Sequence, residues 1–298
     1  MTQSPETDRF ATLTFKREVA APLSALWQAW TAPDARKIWA APTPAVTVEF
    51  LEADSRVGGR EVSLCKVAGQ PDLRCEVGWL ELQPMRRSVN YEVVSCDGVA
   101  QSAALVTAEM FGVGERSRLV VTVQLSSLAA NMAAGYRQGF NAGLDNLAGV
   151  AARTMVLERV IRAPRKLVWG AWMTPATLPQ WWGPDGFSCK TTRIDLREGG
   201  EWVFDMIGPD GTVYPNHHRY GAVQAEERLG YTLHWGENGP KHADAWALFE
   251  DQDGGAGTKV TLGMVFSTEA EYQTAKGFGA IELGLQTLGK LERFVLAR

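Results

Sequence analysis

Cysteine and histidine are both scarce, at four residues each in 298, and neither is arranged for metal or disulfide chemistry. Cys65, Cys75, Cys96 and Cys189 form no CxxC pair and join no His/Cys cluster with zinc spacing. That excludes a disulfide framework and a zinc finger; reduced thiols are expected, and no metal or cofactor. No apolar run approaches the eighteen residues of a membrane span, and the polar opening MTQSPETDRF lacks the charged-then-apolar pattern of a secretory leader. A cytoplasmic protein without membrane insertion is the expectation. Basic residues do not exceed acidic ones: 30 Lys and Arg face 34 Asp and Glu, and the deficit divides evenly between the halves. Phosphate-dominated binding to nucleic acid needs the opposite balance, so nucleic acid is not an expected partner.

What is present is a chain that can fold, with 45% hydrophobic and 21% charged residues, and a sequence that contains itself twice. Ala21-Pro22, Trp27, Trp30 and Pro33 recur 142 residues later as Ala163-Pro164, Trp169, Trp172 and Pro175. With small slips the register continues: Trp39 matches Trp181, Gly58-Gly59 matches Gly199-Gly200, and GLDNL from Gly143 matches GLQTL from Gly284. A period this long marks two whole domains rather than a solenoid. The join falls near Ala151 to Thr154, which gives domains over 10–152 and 153–298. With almost no linker between them, the two are expected to touch.

Each copy opens on an alternating strand, LTFKREV or MVLERVI. Pro22 and Pro164 then start a short helix whose apolar residues recur at three and four positions, and Pro33 and Pro175 stop it. A second helical turn brings Trp39 or Trp181-Trp182 inward. About five short strands follow, joined by turns such as GPDG, and a Leu-striped helix closes each copy. The economical packing is α+β: a curved antiparallel sheet wrapped around the long C-terminal helix, with two short helices after the first strand. A bent sheet over one helix tends to leave a cavity, and function is expected there.

The order of Ala163-Pro164, Trp169, Trp172, Pro175, Trp181-Trp182-Gly183, Gly199-Gly200, Trp202, Pro209-Asp210-Gly211, Gly221 and Trp235 resembles the SRPBCC or START-like superfamily. More narrowly, it resembles the branch related to the C-terminal domain of activators of the heat-shock-protein-ninety ATPase. Copy one is looser: it has no second Trp after Trp39, no PDG turn, and Glu61 where copy two has Trp202. The resemblance implies a helix-grip fold and a pocket for apolar or partly apolar small molecules, serving transport, sensing or catalysis.

All four histidines, His217, His218, His234 and His242, lie in copy two. Alternation puts His218 on one face with Tyr220 and His217 on the other, so at most one points inward. An inward His218 beside Tyr220, near Glu201 or Asp205, is the candidate acid–base group; exposed strand histidines are the competing reading. Trp181, Trp182, Trp202, Phe204, Met206, His218, Tyr220, His234, Trp246 and Leu285 are the candidate ligand contacts. Gly58-Gly59 and Gly199-Gly200 lead into strands, not helices, so they are bends and not phosphate loops. The leading functional reading is binding of a hydrophobic small molecule. The alternatives are an enzyme working on such a molecule in copy two, and a co-chaperone. The resemblance alone suggests the last, and an additional N-terminal domain of the kind the chaperone activators carry is not expected.

Overall fold

The computed structural model of the chain describes residues 9–298. Residues 1–8, most of the opening on which the absence of a leader was argued, lie outside the described residues. The chain divides after Ala152 into two units.

In the first unit, β1 (Phe10–Val19) is followed by α1 (Leu23–Thr31) and α2 (Pro33–Trp39). Pro22 caps α1 with φ of −64°, and Ala32, in an extended conformation, ends α1 and begins α2 with Pro33 in its first turn. Six strands follow: β2 (Val46–Ala53), β3 (Arg60–Val67), β4 (Leu73–Gln83), β5 (Arg87–Cys96), β6 (Val99–Val113) and β7 (Arg116–Ser127). They form one antiparallel sheet in the order β1-β7-β6-β5-β4-β3-β2, and α3 (Met132–Ala151) packs on β1, α1 and α2. Leu13, Phe15, Val121, Val123, Leu144 and Leu147 are buried between sheet and helix.

The second unit repeats this with one addition. After β8 (Thr154–Ile161), α4 (Arg165–Trp172) and α5 (Leu178–Trp181) come β9 (Ser188–Ile194), β10 (Glu201–Ile207), β11 (Val213–Gln224), β12 (Arg228–His234), β13 (Lys241–Gln252) and β14 (Gly257–Phe266). The sheet order β8-β14-β13-β12-β11-β10-β9 is that of the first unit. Then α6 (Glu269–Gly277) precedes α7 (Ala280–Leu296). The α+β helix-grip fold in tandem is therefore as expected, with two differences. Each sheet has six strands after the first, not about five: the edge strands β2 and β9, which bury no residue fully, complete the count. The helix α6 has no counterpart in the first unit, where four residues join β7 to α3.

The glycine pairs make the turns that lead into β3 and β10. A Cβ at Gly59 would overlap the carbonyl oxygen of Asp54, and one at Gly200 that of Asp195. Their partners Gly58 and Gly199 donate amide hydrogens to Trp79 and Tyr220 carbonyls, 2.8 and 3.0 Å away, which ties each turn to the next strand.

Candidate functional site

In the second unit a cavity of about 430 Å³ lies between the sheet, α6 and α7. Leu157, Met206, Leu262, Met264 and Phe266 form the sheet wall. Ala275 and Phe278 come from α6 and the turn after it, and Trp182 closes one end. Along α7 the lining residues are Ala280, Leu283, Gly284 and Thr287, a stripe spaced i, i+3, i+4, i+7. The larger residues Leu288, Leu291 and Val295 occupy the neighbouring stripe and pack in the solid core. Three of the four cavity-side residues, Ala280, Gly284 and Thr287, are smaller than those of the neighbouring stripe. Gly284 makes the closest approach: a Cβ there would overlap Leu157 Cδ1.

Polar groups on the wall are few. Glu271 is committed to the start of α6, where its carboxylate accepts from the Thr268 amide at 2.9 Å and from the Thr268 hydroxyl at 3.0 Å in a capping box. His242 is different. The pairing of β12 with β13 slips between Leu233 and His234, so that His242 is an extra residue on β13 and escapes strict alternation. It reaches the cavity, stacked on Trp235 at 4.1 Å between ring centroids. Burial holds its imidazole down at about 4, and its buried Nδ1 has no hydrogen-bond partner. The ring of His242 borders the cavity, but its Nδ1 is sealed from solvent, so the cavity wall is apolar even here.

Of the ten candidate contacts, Trp182 and Met206 line this cavity. Trp181, Trp202, Phe204, His218 and Tyr220 sit on the concave side but are packed solid. Trp181 Nε1 donates to the Ala171 carbonyl at 3.0 Å, and Trp202 stacks on Phe204 at 3.7 Å. Leu285 is half-buried against the core, one position away from the cavity stripe. His234 pairs with His217 and so faces the other side of the sheet, where its ring nitrogen meets the Thr232 hydroxyl at 3.0 Å. Trp246, expected to face the helix, lies on that outer side too, because its neighbours Ala245 and Ala247 take the inner one; its ring covers Gly263, where a Cβ would overlap it.

The proposed acid–base group is not assembled. His218 and Tyr220 do share the inner face, yet Glu201 and Asp205 alternate with Trp202 and Phe204 and point outward. Glu201 instead accepts from His217 Nε2 at 2.7 Å and pairs with Arg193, which with His217 holds its carboxyl below the usual range. The exposed reading of the histidine pair is wrong as well, since His217 and His218 are both buried. His218 sits edge-on to Trp182, Trp202 and Phe204 with centroids 5.1 to 5.4 Å away. Desolvation in this nest lowers it to about 3, so it is a neutral core residue. Burial likewise pushes the Tyr220 phenol up. The groups missed at the sequence level are His242, Trp235 and the lining of α6. The Ala280, Leu283, Gly284, Thr287 spacing was the readable signal for the helix wall.

Among the described residues no three His, Cys, Asp or Glu side chains converge to hold a metal ion, and no helix is long and apolar enough to cross a membrane.

A protein family described as Activator of Hsp90 ATPase homolog 1-like protein matches residues 20–152 and, separately, 162–295. Solved structures resemble single domains of the chain. One from Nitrosomonas europaea is 26% identical over 49% of this chain and 96% of its own, with a TM-score of 0.45. Another from Rhizobium loti is 26% identical over 47% and 95%, with a TM-score of 0.42. A solution structure from Arthrobacter aurescens is 22% identical over 50% and 89%, with a TM-score of 0.46. No curated protein matches.

Proposed function

We propose, for a chain that belongs to the Activator of Hsp90 ATPase homolog 1-like family, that the second domain binds an apolar or amphipathic small molecule between its sheet and the α6–α7 pair. The observation that carries this reading is the cavity of about 430 Å³ with an almost wholly apolar lining. Its volume lies in the range of small-molecule sites, and an apolar wall with few polar groups is their usual make-up. His242, neutral at physiological pH, adds an uncharged ring to the wall, so no fixed charge opposes an apolar ligand.

An alkanol series tests the reading on the full chain. Each buried methylene contributes about 0.8 kcal/mol, so two further carbons should tighten binding about fifteenfold until the cavity is full, after which affinity levels off. Met264→Trp, which fills the space from the sheet side, should abolish the series while the protein stays folded. Affinity independent of chain length, or unaffected by the filled cavity, would refute the proposal.

A further inference from the structure

The two domains share a fold but not an interior. The amide of Gly58 bonds to the Trp79 carbonyl as that of Gly199 bonds to the Tyr220 carbonyl, which fixes the correspondence of the sheets. Following the strand registers from there, Glu61, Ser63 and Cys65 of β3 stand where Trp202, Phe204 and Met206 stand in β10. Glu92 of β5 stands where β12 has Leu233. Three concave positions that are apolar in the second domain are thus polar in the first, and the fourth exchanges a thioether for a thiol.

These groups are connected. The Ser102 hydroxyl lies 3.2 Å from Tyr136 Oη, and that phenol, on α3, donates to Glu92 Oε1 at 2.7 Å. The Cys75 thiol is within hydrogen-bond reach of the same carboxylate, and Cys65 is close enough to feel its charge. Burial pushes both thiols up, so they stay protonated, and that of Cys75 is the one placed to donate to Glu92. Tyr136 is 7% exposed and Ser102 fully buried. The guanidinium closest to this cluster, Arg36, is engaged elsewhere: it pairs with Glu61 at 3.0 Å, donates to the Trp30 carbonyl at 3.0 Å, and lies over the Trp39 and Trp79 rings. Among the described residues Glu92 has no ion pair. Burial accordingly raises its carboxyl above the ordinary range, against the opposing pull of Tyr136, Cys75 and Arg36.

The cluster is also reachable. Four residues join β7 to α3, so nothing equivalent to α6 covers this end of the sheet. Val48, Phe50, Ser63, Cys65, Cys75 and Glu92 all point to the helix side, yet each is only half-buried.

We propose that the concave face of the first domain is a second, separate site, selective for a small organic amine whose ammonium group pairs with Glu92 between Tyr136 and Cys75. A carboxylate removed from water without a counter-ion is costly, and an ammonium brings both the opposite charge and several N–H donors. Val48 and Phe50 supply the apolar side against which the carbon skeleton of the amine lies. The second domain has Leu233 at this place and would not discriminate.

The test is calorimetric titration of the full chain with 2-phenylethylamine and its isostere 2-phenylethanol. The amine should bind at least about tenfold more tightly, the worth of one charge-assisted hydrogen bond. Glu92→Gln should reduce the amine to the level of the alcohol, and Met264→Trp in the other domain should leave the amine unaffected. Equal affinity of the two probes for the Met264→Trp chain, in which the second-domain cavity is filled and cannot take the alcohol, overturns the proposal. So does absence of amine binding, or a folded Glu92→Gln protein that still prefers the amine.

Discussion

His218 shows what burial does to a single titratable side chain in this protein. Held among Trp182, Trp202 and Phe204 with its folded pKa at about 3, it refuses a proton that the unfolded chain accepts below about 6.5. Its contribution to stability is therefore complete above pH 6.5 and is lost as the pH falls towards 3, with a slope approaching ~1.4 kcal/mol per pH unit. His242, lowered to about 4, acts in the same direction over a shorter window. Urea unfolding of the second domain should steepen its pH dependence between about pH 6 and 4, and His218→Gln should flatten it; identical slopes would contradict the burial account. In the first domain the corresponding test is the pair of Arg36 and Glu61, whose side chains are 13% and 2% exposed. Glu61→Gln leaves a guanidinium buried beside Trp39 and Trp79 without its counter-charge, which should cost roughly 3 kcal/mol. A denaturant midpoint that does not move would show that water reaches Arg36.

At the scale of elements, the helix α6 distinguishes the two sites. It begins in the reciprocal bonds of Thr268 and Glu271 and covers the cavity with Ala275 and Phe278. Thr268→Ala removes the cap, at about 1 kcal/mol, without touching the sheet wall. Stopped-flow measurements should then show faster dissociation of an alkanol-type probe with little change in how many molecules bind; an unchanged rate would mean that α6 is not the gate. Neither α6 nor the bulge that delivers His242 was legible in the sequence. The segment Glu269–Gly277 has a weak apolar stripe, with Tyr272 and Ala275 its only buried residues, and a bulge is invisible to a reading that assumes strict alternation. The elements that were legible are those marked by bulky or restricted residues: Pro22 and Pro164, the tryptophans of α1 and α4, the glycine turns and the long closing helices. The same signals misled at the site. Trp202, Phe204 and His218 are large, inward and packed solid, whereas Leu157, Leu262, Met264 and Phe266, equally large and inward, wall the cavity opposite Ala280 and Gly284. Size and direction along a strand do not by themselves separate core from pocket wall.

Taken as a whole, the molecule holds two copies of one fold whose interiors have diverged in opposite senses. The second is aromatic and aliphatic around a covered cavity, and the first is polar and open around Glu92. Duplication keeps the sheet order because turns and helix caps determine it, and leaves the concave positions free to change, because half-buried residues facing a cleft tolerate polar atoms that a packed core would not. The central claim is that apolar ligand binding belongs to the second domain. Methionine methyl NMR tests it most directly, since Met206 and Met264 line its cavity and Met110 is buried in the first domain. Titration of the full chain with naphthalene should shift the Met206 and Met264 signals saturably and leave Met110 in place. Signals of Met206 and Met264 that stay fixed up to naphthalene saturation would contradict the claim.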